Sequence, residues 1–457
     1  MYKSITQDNQ NDNQISKSVK RFFRRFQISS ALKASNSYKS KGIPVIEVFQ
    51  YLFLLVFTNR SMYMGLVTGK HTPSFAKDTA YRFMKMVQIN WIRFTTILAA
   101  RIIKDAIVPL NSEQRIYVLT IDDSMVERNR SKKVELLAKI YDHAKHSFKL
   151  GFRMLTLGWS DGSTFLPVNS ILLSSEKKKN RMNDANTVDK RTVGYKRRQL
   201  SMQKGTVAML ELLKAAKSAA IPAKYVLFDS WFSSPSTLHT VTALGYDVIG
   251  MVKKTPKMFF RYNGEDMPLT AIYRKNKKRR GRSKYLLSVI VEVVKDGESI
   301  PAKVVYVRNR NKRKEYLCLI STDISLDENE IIRTYGKRWD TEVFFKICKS
   351  YLKLNKECHS LSYDAITAHT AVVFARYMML SVESREANDN RSLGELFLYF
   401  TDEMSDITWI QALQLLLQMF RDMLTDTIEL TEEKIDELME AFMNAIPTVL
   451  RLRLQAL

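Results

Sequence analysis

The sequence predicts an α/β protein with a mixed β-sheet and a β-rich insertion, flanked by helical domains at both ends. Between residues 111 and 385, short apolar runs rich in β-branched residues alternate with longer segments of helical periodicity. Before and after that region, apolar residues recur only with the helical period. A chain of 457 residues fits two or three domains. We therefore predict domains at 1–110, 111–385 and 386–457.

The charge of the chain indicates a polyanionic partner. Lys and Arg number 72 and Asp and Glu 47, which gives a formal net charge of +25. Because 45% of the residues are hydrophobic, a disordered polybasic chain is excluded. The basic residues concentrate at 17–25, 177–198 and 274–284. A basic run can also be a solvated face, but a folded protein this basic favours nucleic acid, whose phosphates such clusters would bind without reading sequence.

Three features of the sequence favour a cytoplasmic protein that has no membrane partner. The longest apolar run, at 51–57, is far shorter than the ~20 residues of a membrane span. The polar N-terminus shows no apolar core of a signal peptide. Cys318, Cys348 and Cys358 have the spacing of neither a disulfide framework nor a zinc knuckle, which is typical of a reducing environment.

The first 110 residues predict a helical DNA-binding domain. Periodicity predicts amphipathic helices over 43–57 and 90–107, and a short basic-aromatic helix over 78–87. The short helix would fit a DNA groove. An equal alternative is a packing helix that buries Tyr81 and Phe83.

The middle of the chain predicts the mixed sheet. A β-branched run at 116–121 reads as a buried strand that stops on Asp122 and Asp123. A hairpin follows, with strands at 147–157 and 164–172. The next elements are, in order, a helix at 206–220, a strand at 225–228 that ends before Asp229, a helix at 237–244 and a strand at 247–252. This βββαβαβ order predicts a mixed sheet.

The remaining segments predict the insertion and the C-terminal helices. Residues 253–322 alternate strand-like pieces with basic turns and indicate a β-rich insertion. A capping box, Ser325 to Glu328, predicts a helix that continues to about 352, and another helix follows at 363–382. Beyond a polar linker, the apolar stretch 410–423 would serve either dimerisation or an ordinary core.

Three acids are candidates for catalysis: Asp123, Asp229 and Glu342. Two follow buried strands, where neighbouring parallel strands would bring their carboxylates together. Such a pair repels itself unless a cation lies between, and Mg²⁺ prefers oxygen ligands. The alternative is that each aspartate caps a turn or a helix. Because side chains alternate along a strand, only one of Asp122 and Asp123 can point into the site, and we favour Asp123.

One face of the predicted helix around Glu342 carries the other candidates. Arg338, Glu342 and Lys349 follow Tyr335 by 3, 7 and 14 residues, so all four lie within one narrow stripe at about 100° per residue. Exposed helices use pairs such as Arg338 and Glu342 routinely, so spacing alone does not separate a site from a solvated face.

This spacing resembles the Tyr–Arg–Glu–Lys signature of the DDE insertion-sequence transposases, specifically of the family named after insertion sequence four. The signature lies in YGKRWDTEVFFKICK, and two earlier boxes, VLTIDDSMVERNR and YVLFDSWFSS, resemble the same family. The resemblance covers about residues 115–382. It is much weaker over the N-terminal helices and the last seventy or so residues.

The resemblance implies a ribonuclease H-like catalytic core. Asp123, Asp229 and Glu342 would be the catalytic acids and hold two divalent metal ions, Mg²⁺ or alternatively Mn²⁺. Tyr335, Arg338 and Lys349 would match residues of the family that hold DNA phosphates near the cut. Some relatives stack a flipped base on a tryptophan of the insertion. Residues 253–322 contain no tryptophan, and that role stays unassigned among four aromatic residues: Phe259, Phe260, Tyr262 and Tyr273.

The activity that the resemblance implies is cut-and-paste transposition in a bacterial, nucleoid-associated setting. A homodimer would bind paired terminal inverted repeats of double-stranded DNA, cleave one strand, form and reopen a DNA hairpin, and join the freed 3′-hydroxyl to target DNA. Two alternatives stay open: a ribonuclease H-like nuclease that cuts without joining, and a non-catalytic DNA-binding relic of the fold.

Overall fold

The computed structural model describes residues 17–58, 61–64, 73–142, 146–281, 283–309, 312, 315–386, 392–398, 401, 417, 420–421 and 432–445. The chain divides into two compact units. The larger comprises Phe26–Phe53 and Phe75–Asn390, and the smaller comprises Met1–Arg25, Leu54–Ser74 and Arg391–Leu457. Segments of the first 110 residues contribute to both units, and the boundaries near residues 110 and 385 stay predictions.

The smaller unit contains a basic and an acidic helix. Helix α1 (Lys17–Arg25) buries Val19 and Phe22 and exposes its arginines, because its apolar residues fall on one face. The acidic helix at the other end of the chain is Glu432–Ala445. Most of the apolar stretch 410–423 lies outside the described residues, so its role in dimerisation stays a prediction.

The helices of the larger unit have the following bounds. They are α2 (Ile28–Ala34), α3 (Val45–Leu54), α4 (Lys77–Met84), α5 (Trp91–Ile102), α6 (Val193–Ser201), α7 (Gly205–Ser218), α8 (Pro235–Ala243), α9 (Leu269–Lys275), α10 (Glu328–Gly336), α11 (Trp339–Ser350) and α12 (Tyr363–Glu386). The last residue of α3, Leu54, is assigned to the smaller unit. Helix α12 is long and apolar enough to cross a membrane, but its apolar window is entirely buried within the protein. It packs as a core helix.

One mixed sheet runs through the larger unit. Its strands are β1 (Val118–Glu127), β2 (Ala138–Asp142), β3 (Ser147–Ser160), β4 (Phe165–Leu173), β5 (Tyr225–Phe228), β6 (Asp247–Val252), β7 (Phe260–Tyr262), β8 (Glu265–Met267), β9 (Tyr285–Lys295), β10 (Glu298–Arg308) and β11 (Tyr316–Ser321). Their order is β2-β3-β1-β5-β6-β11-β10-β9-β7-β8, and β4 also pairs with β3. The segment predicted as an insertion therefore extends the central sheet, because β11 pairs antiparallel with β6.

The centre of the sheet matches the predicted mixed arrangement. Strand β1 is parallel to β5, and β5 is parallel to β6, whereas β3 runs antiparallel to β1 and forms a hairpin with β4. The short edge strand β2 was not predicted. This large mixed sheet with packed helices is consistent with the ribonuclease H-like core that the resemblance implies.

The structure corrects two local predictions. Strand β1 does not stop at the aspartates but continues to Glu127, because its pairing with β3 extends that far. The helix predicted from Ser325 is two helices. Asp327, rather than Ser325, caps α10 by accepting hydrogen bonds from the Asn329 and Glu330 amides. Gly336 ends α10, and Arg338 stands in the turn before α11.

The structure of the short helix α4 agrees only in part with the packing alternative. Phe83 is fully buried, as the packing alternative predicts, but Tyr81 is 40% exposed. Its outer face carries basic residues beside this tyrosine.

Candidate active site

The strand-borne acids gather where β5 ends. The parallel pairing of β1 with β5 stops at Ile121 opposite Phe228. Asp122 and Asp123 follow directly on β1, and Asp229 follows β5. Thus the two acidic boxes come together where the pairing of β1 with β5 ends, although the aspartates of β1 lie within a longer strand.

Helix α11 and the turn before it contact one face of β1. The Thr120 and Thr341 hydroxyls lie 2.9 Å apart, and Lys349 Nζ donates a hydrogen bond of 2.6 Å to Ser124 Oγ. Since side chains alternate along a strand, Asp122 shares this face with Thr120 and Ser124. The predicted alternation is observed, and it places Asp122 toward α11.

Arg338 links two of the acids on that face. Its Nη1 donates to Asp122 Oδ2 at 2.5 Å, and its Nη2 donates to Glu342 Oε1 at 2.7 Å. Burial opposes the charge of Arg338, but the neighbouring carboxylates raise its pKa overall. Arg338 thus joins Glu342 of the signature to Asp122 of β1, which lies more than two hundred residues earlier in the chain.

The carboxylates at this point repel one another. Burial raises the pKa of Asp122 to about 7, the charges of Asp123 and Asp229 add to the increase, and Arg338 opposes it. Burial also raises the pKa of Asp229, and the charge of Asp123 adds to it, whereas the Trp231 amide, 2.9 Å from Asp229 Oδ1, lowers it. A cation at this point would relieve both effects.

Asp123 lies on the opposite face of β1 and forms an ion pair with Arg153 of β3. The Arg153 guanidinium carbon lies 5.9 Å from the ring centroid of Trp231, and Lys253 Nζ lies 3.6 Å from the same centroid. The indole is 51% exposed. No sequence pattern singles out Arg153, Trp231 or Lys253. The box after Asp229 contained the tryptophan, but only the sheet register brings the two cations to it.

The remaining signature residues lie on α10 and α11. Burial raises the pKa of Tyr335 to about 12, and the charge of Arg338 opposes the increase. Lys349 contacts Ser124 as described, and burial lowers its pKa while the charge of Glu127 opposes this. The structure therefore brings Arg338, Glu342 and Lys349 to the β1 face even though the helix is broken.

Two divalent metal ions fit the donor chemistry of the site but find no assembled set of ligands. Carboxylate oxygens are the ligands that Mg²⁺ prefers, and burial together with the charge of neighbouring carboxylates raises the pKa values of Asp122 and Asp229. Among the described residues, however, no three His, Cys, Asp or Glu side chains lie close enough to hold one ion. Arginines neutralise the acids instead: Arg338 binds Asp122 and Glu342, and Arg153 binds Asp123.

A family model decides the wider relationship. The model described as "DDE superfamily endonuclease" matches residues 54–311, which is more than half of the chain. The chain belongs to the DDE superfamily endonucleases. Within this DDE endonuclease, the matched stretch contains Asp122, Asp123 and Asp229 but ends before the signature helix. The assignment of Glu342 therefore depends on its spacing and on its contact with Arg338.

Comparisons with individual proteins add little. No curated protein sequence matches this DDE endonuclease. Among solved structures it is similar to the Drosophila P element transposase in its strand transfer complex, at 10% identity and a TM-score of 0.23. The match covers 57% of this chain and about half, 55%, of that chain. A likeness this remote carries no argument about substrate or mechanism.

Proposed function

We propose that this DDE endonuclease is a transposase of the insertion-sequence-four type. It would bind the terminal inverted repeats of its element, cleave them with a divalent metal, pass through a DNA hairpin and join the element to target DNA. The observation that carries the proposal is the contact of Arg338 with both Asp122 and Glu342. Residues from the first acidic box and from the Tyr–Arg–Glu–Lys signature converge there, beside Asp229.

The acidic residues would hold two divalent metal ions, Mg²⁺ or Mn²⁺. Bound ions of this kind supply Lewis-acid activation of water and neutralise charge on the phosphodiester. Asp229 and Glu342 are two of the proposed ligands. For β1, the sequence favours Asp123, whereas the shared face with Glu342 favours Asp122. Both arginines that now neutralise these acids would have to give way to the metal.

The basic side chains of the site would bind DNA. Arg338 presents a planar fork suited to phosphate oxygens, and Lys349 presents a compact positive charge. Tyr335 would donate a hydrogen bond to the same backbone. The net charge of +25 supports duplex DNA as the partner. A homodimer in the synaptic complex and a cytoplasmic, nucleoid-associated location belong to the same proposal.

A plasmid assay tests the function. Purified protein is incubated with a supercoiled plasmid that carries the terminal repeats flanking its gene, with Mg²⁺ or with EDTA, beside Glu342→Ala. An exposed acid on α7, changed in Glu211→Ala, serves as the matched control. We expect excised and joined products from the wild type and the control in Mg²⁺ only. Cleavage without joining would instead favour the nuclease alternative, and end binding without cleavage would favour the non-catalytic relic.

A further inference from the structure

A basic hollow opens in the larger unit between α4 and the loop that precedes α3. Its volume is about 470 Å³. The lining consists of Lys39, Lys41, Gly42, Ile43, Thr79, Arg82 and Met86. None of the candidate catalytic acids contributes to it, so the hollow is separate from the candidate active site.

The lining carries three positive charges and no acidic side chain. In the part of the chain that the structure describes, no carboxylate forms an ion pair with Lys39, Lys41 or Arg82. Arg82 donates through Nε to the Asp78 carbonyl oxygen at 3.3 Å, which fixes the guanidinium and leaves its terminal nitrogens available. Three like charges around one cavity repel one another unless an anion joins them.

Helix electrostatics does not explain the cluster. Arg82 lies in the last turn of α4, where a positive charge is favourable beside the helix dipole. Lys39 and Lys41, however, belong to the separate loop. Two segments thus contribute cations to the same cavity.

The walls of the hollow are held by hydrogen bonds. The Ser37 amide donates to the Leu32 carbonyl oxygen at 3.0 Å, and the Asn90 amide donates to the Ser35 carbonyl oxygen at 2.9 Å. Beyond α4, the Gly194 amide donates to the Val87 carbonyl oxygen at 2.7 Å. Gly42 has φ +85° and nothing within 4 Å of the position of an added Cβ, so the loop turns there and faces open space. A preformed site of this kind loses little entropy on binding.

We propose that the basic hollow binds the phosphate backbone of duplex DNA, away from the phosphodiester that is cut. The hollow is lined by cations from two segments, as a contact with the phosphate backbone requires. Tyr38 and Tyr81, next to Lys39 and Arg82 in the chain, are 64% and 40% exposed and add aromatic contact surface. The inference rests on the proposed function for the identity of the ligand. It assigns to this surface the positioning of the duplex rather than the reading of its sequence.

Salt-dependent binding tests the proposal. A fluorescent duplex of about 40 base pairs with random sequence is titrated in EDTA, from about 50 to 200 mM salt, with wild type and with Lys39→Ala/Lys41→Ala/Arg82→Ala. Each phosphate contact contributes about 0.9 to the slope of log affinity against log salt, so we expect the slope to fall by about 2 to 3. The control Lys204→Ala/Lys214→Ala/Lys217→Ala removes the same charge from α7 and the residue that precedes it.

The two triple variants distinguish DNA binding at the hollow from attraction by the net charge of the protein. Equal losses from the two triple variants, or an unchanged slope in the hollow variant, would overturn the proposal. Lys39→Arg/Lys41→Arg/Arg82→Lys retains the charges and should retain binding, and thermal melting establishes that each variant folds.

Catalysis distinguishes this inference from the proposed function. If the wild type cleaves DNA, the hollow variant should raise KM about tenfold or more and leave kcat within about twofold. A wild type that binds duplex DNA without cleaving it would contradict the transposase proposal. The salt slopes would still show whether the basic hollow binds the phosphate backbone.

Discussion

Arg338 donates hydrogen bonds to both Asp122 and Glu342, and so joins strand β1 to helix α11. The side chains of Arg338 and Asp122 are each only 18% exposed. An ion pair in such a partly buried place is costly to break, because the remaining carboxylate keeps its desolvation penalty. The contact therefore has a structural role that can be measured apart from any role in catalysis.

Replacement of Arg338 tests that role. At pH 8, Arg338→Ala should lower the free energy of unfolding by about 2 kcal/mol, since the ionised pair is lost and Asp122 must then be buried either as an unpaired charge or in its protonated form. The loss should shrink at pH 5, because the pKa of Asp122 is about 7 and the carboxyl is then protonated. Arg338→Lys should lose less stability. Urea denaturation at the two pH values measures all three proteins.

A matched control lies on the neighbouring helix. Arg333 is 72% exposed and pairs with Glu330 within α10, so Arg333→Ala should change stability by less than about 0.5 kcal/mol. If Arg338→Ala is equally mild, the bridge to Asp122 and Glu342 has no structural importance.

The two adjacent aspartates of β1 can be distinguished by mutation. Because Asp122 shares the face of Glu342, we expect Asp122→Asn to reduce metal-dependent cleavage by at least about 100-fold and to reduce the Mn²⁺-dependent rise in Tm. Asp123→Asn should retain more of both, since Asp123 pairs with Arg153 on the other face. Cleavage assays and melting with and without Mn²⁺ measure the effects.

The reverse order would support the interpretation favoured by the sequence alone. If Asp123→Asn abolishes the Mn²⁺ response and Asp122→Asn does not, then facing α11 does not identify the metal ligand on β1. Arg153→Ala is a useful companion, because it removes the partner of Asp123 without changing either acid.

The sequence predicted the central strands better than the site. Apolar runs identified β5 and β6 with their observed bounds, because strands whose side chains are mostly buried carry a strong apolar signal. The end of β1 was missed, since the polar residues from Asp122 to Ser124 interrupt the apolar run, and pairing with β3 carries the strand on to Glu127. Arg153 was also missed because its approach to Asp123 depends on strand register, which no local pattern encodes.

A buried network of ion pairs should be essential for stability. Arg198 donates through Nε to Glu135 and through Nη2 to Asp364, both at 2.6 Å, and all three side chains are 3% exposed or less. Arg198→Leu would leave two buried carboxylates with less compensation. We expect a loss of about 3 to 5 kcal/mol in the free energy of unfolding, measured by urea denaturation.

An exposed arginine–aspartate pair serves as the control for the buried network. Arg191 pairs with Asp189 at 2.7 Å, but its side chain is 90% exposed. Arg191→Leu should leave the free energy of unfolding almost unchanged, because water screens the pair. Similar losses from the two substitutions would show that burial does not control these interactions.

His369 should make the fold sensitive to acid. Burial lowers its pKa to about 4; Glu357 opposes this, and Arg376 and Arg128 reinforce it. Since the ordinary value is 6.5, the unfolded chain binds this proton more readily than the folded one. The stability contribution is therefore complete above pH 6.5 and declines as the pH falls toward 4. At pH 5 the loss should be about 2 kcal/mol.

Substitution isolates the contribution of this histidine. His369 Nε2 lies 3.2 Å from the Leu354 carbonyl oxygen, and the amide of His369→Gln offers a donor that does not titrate in this range. The difference in unfolding free energy between wild type and variant should therefore change by about 2 kcal/mol from pH 7 to pH 5. A difference independent of pH would mean that the pKa of His369 is the same in the folded and the unfolded chain, and a contribution that grows as the pH falls would mean that Glu357 outweighs burial.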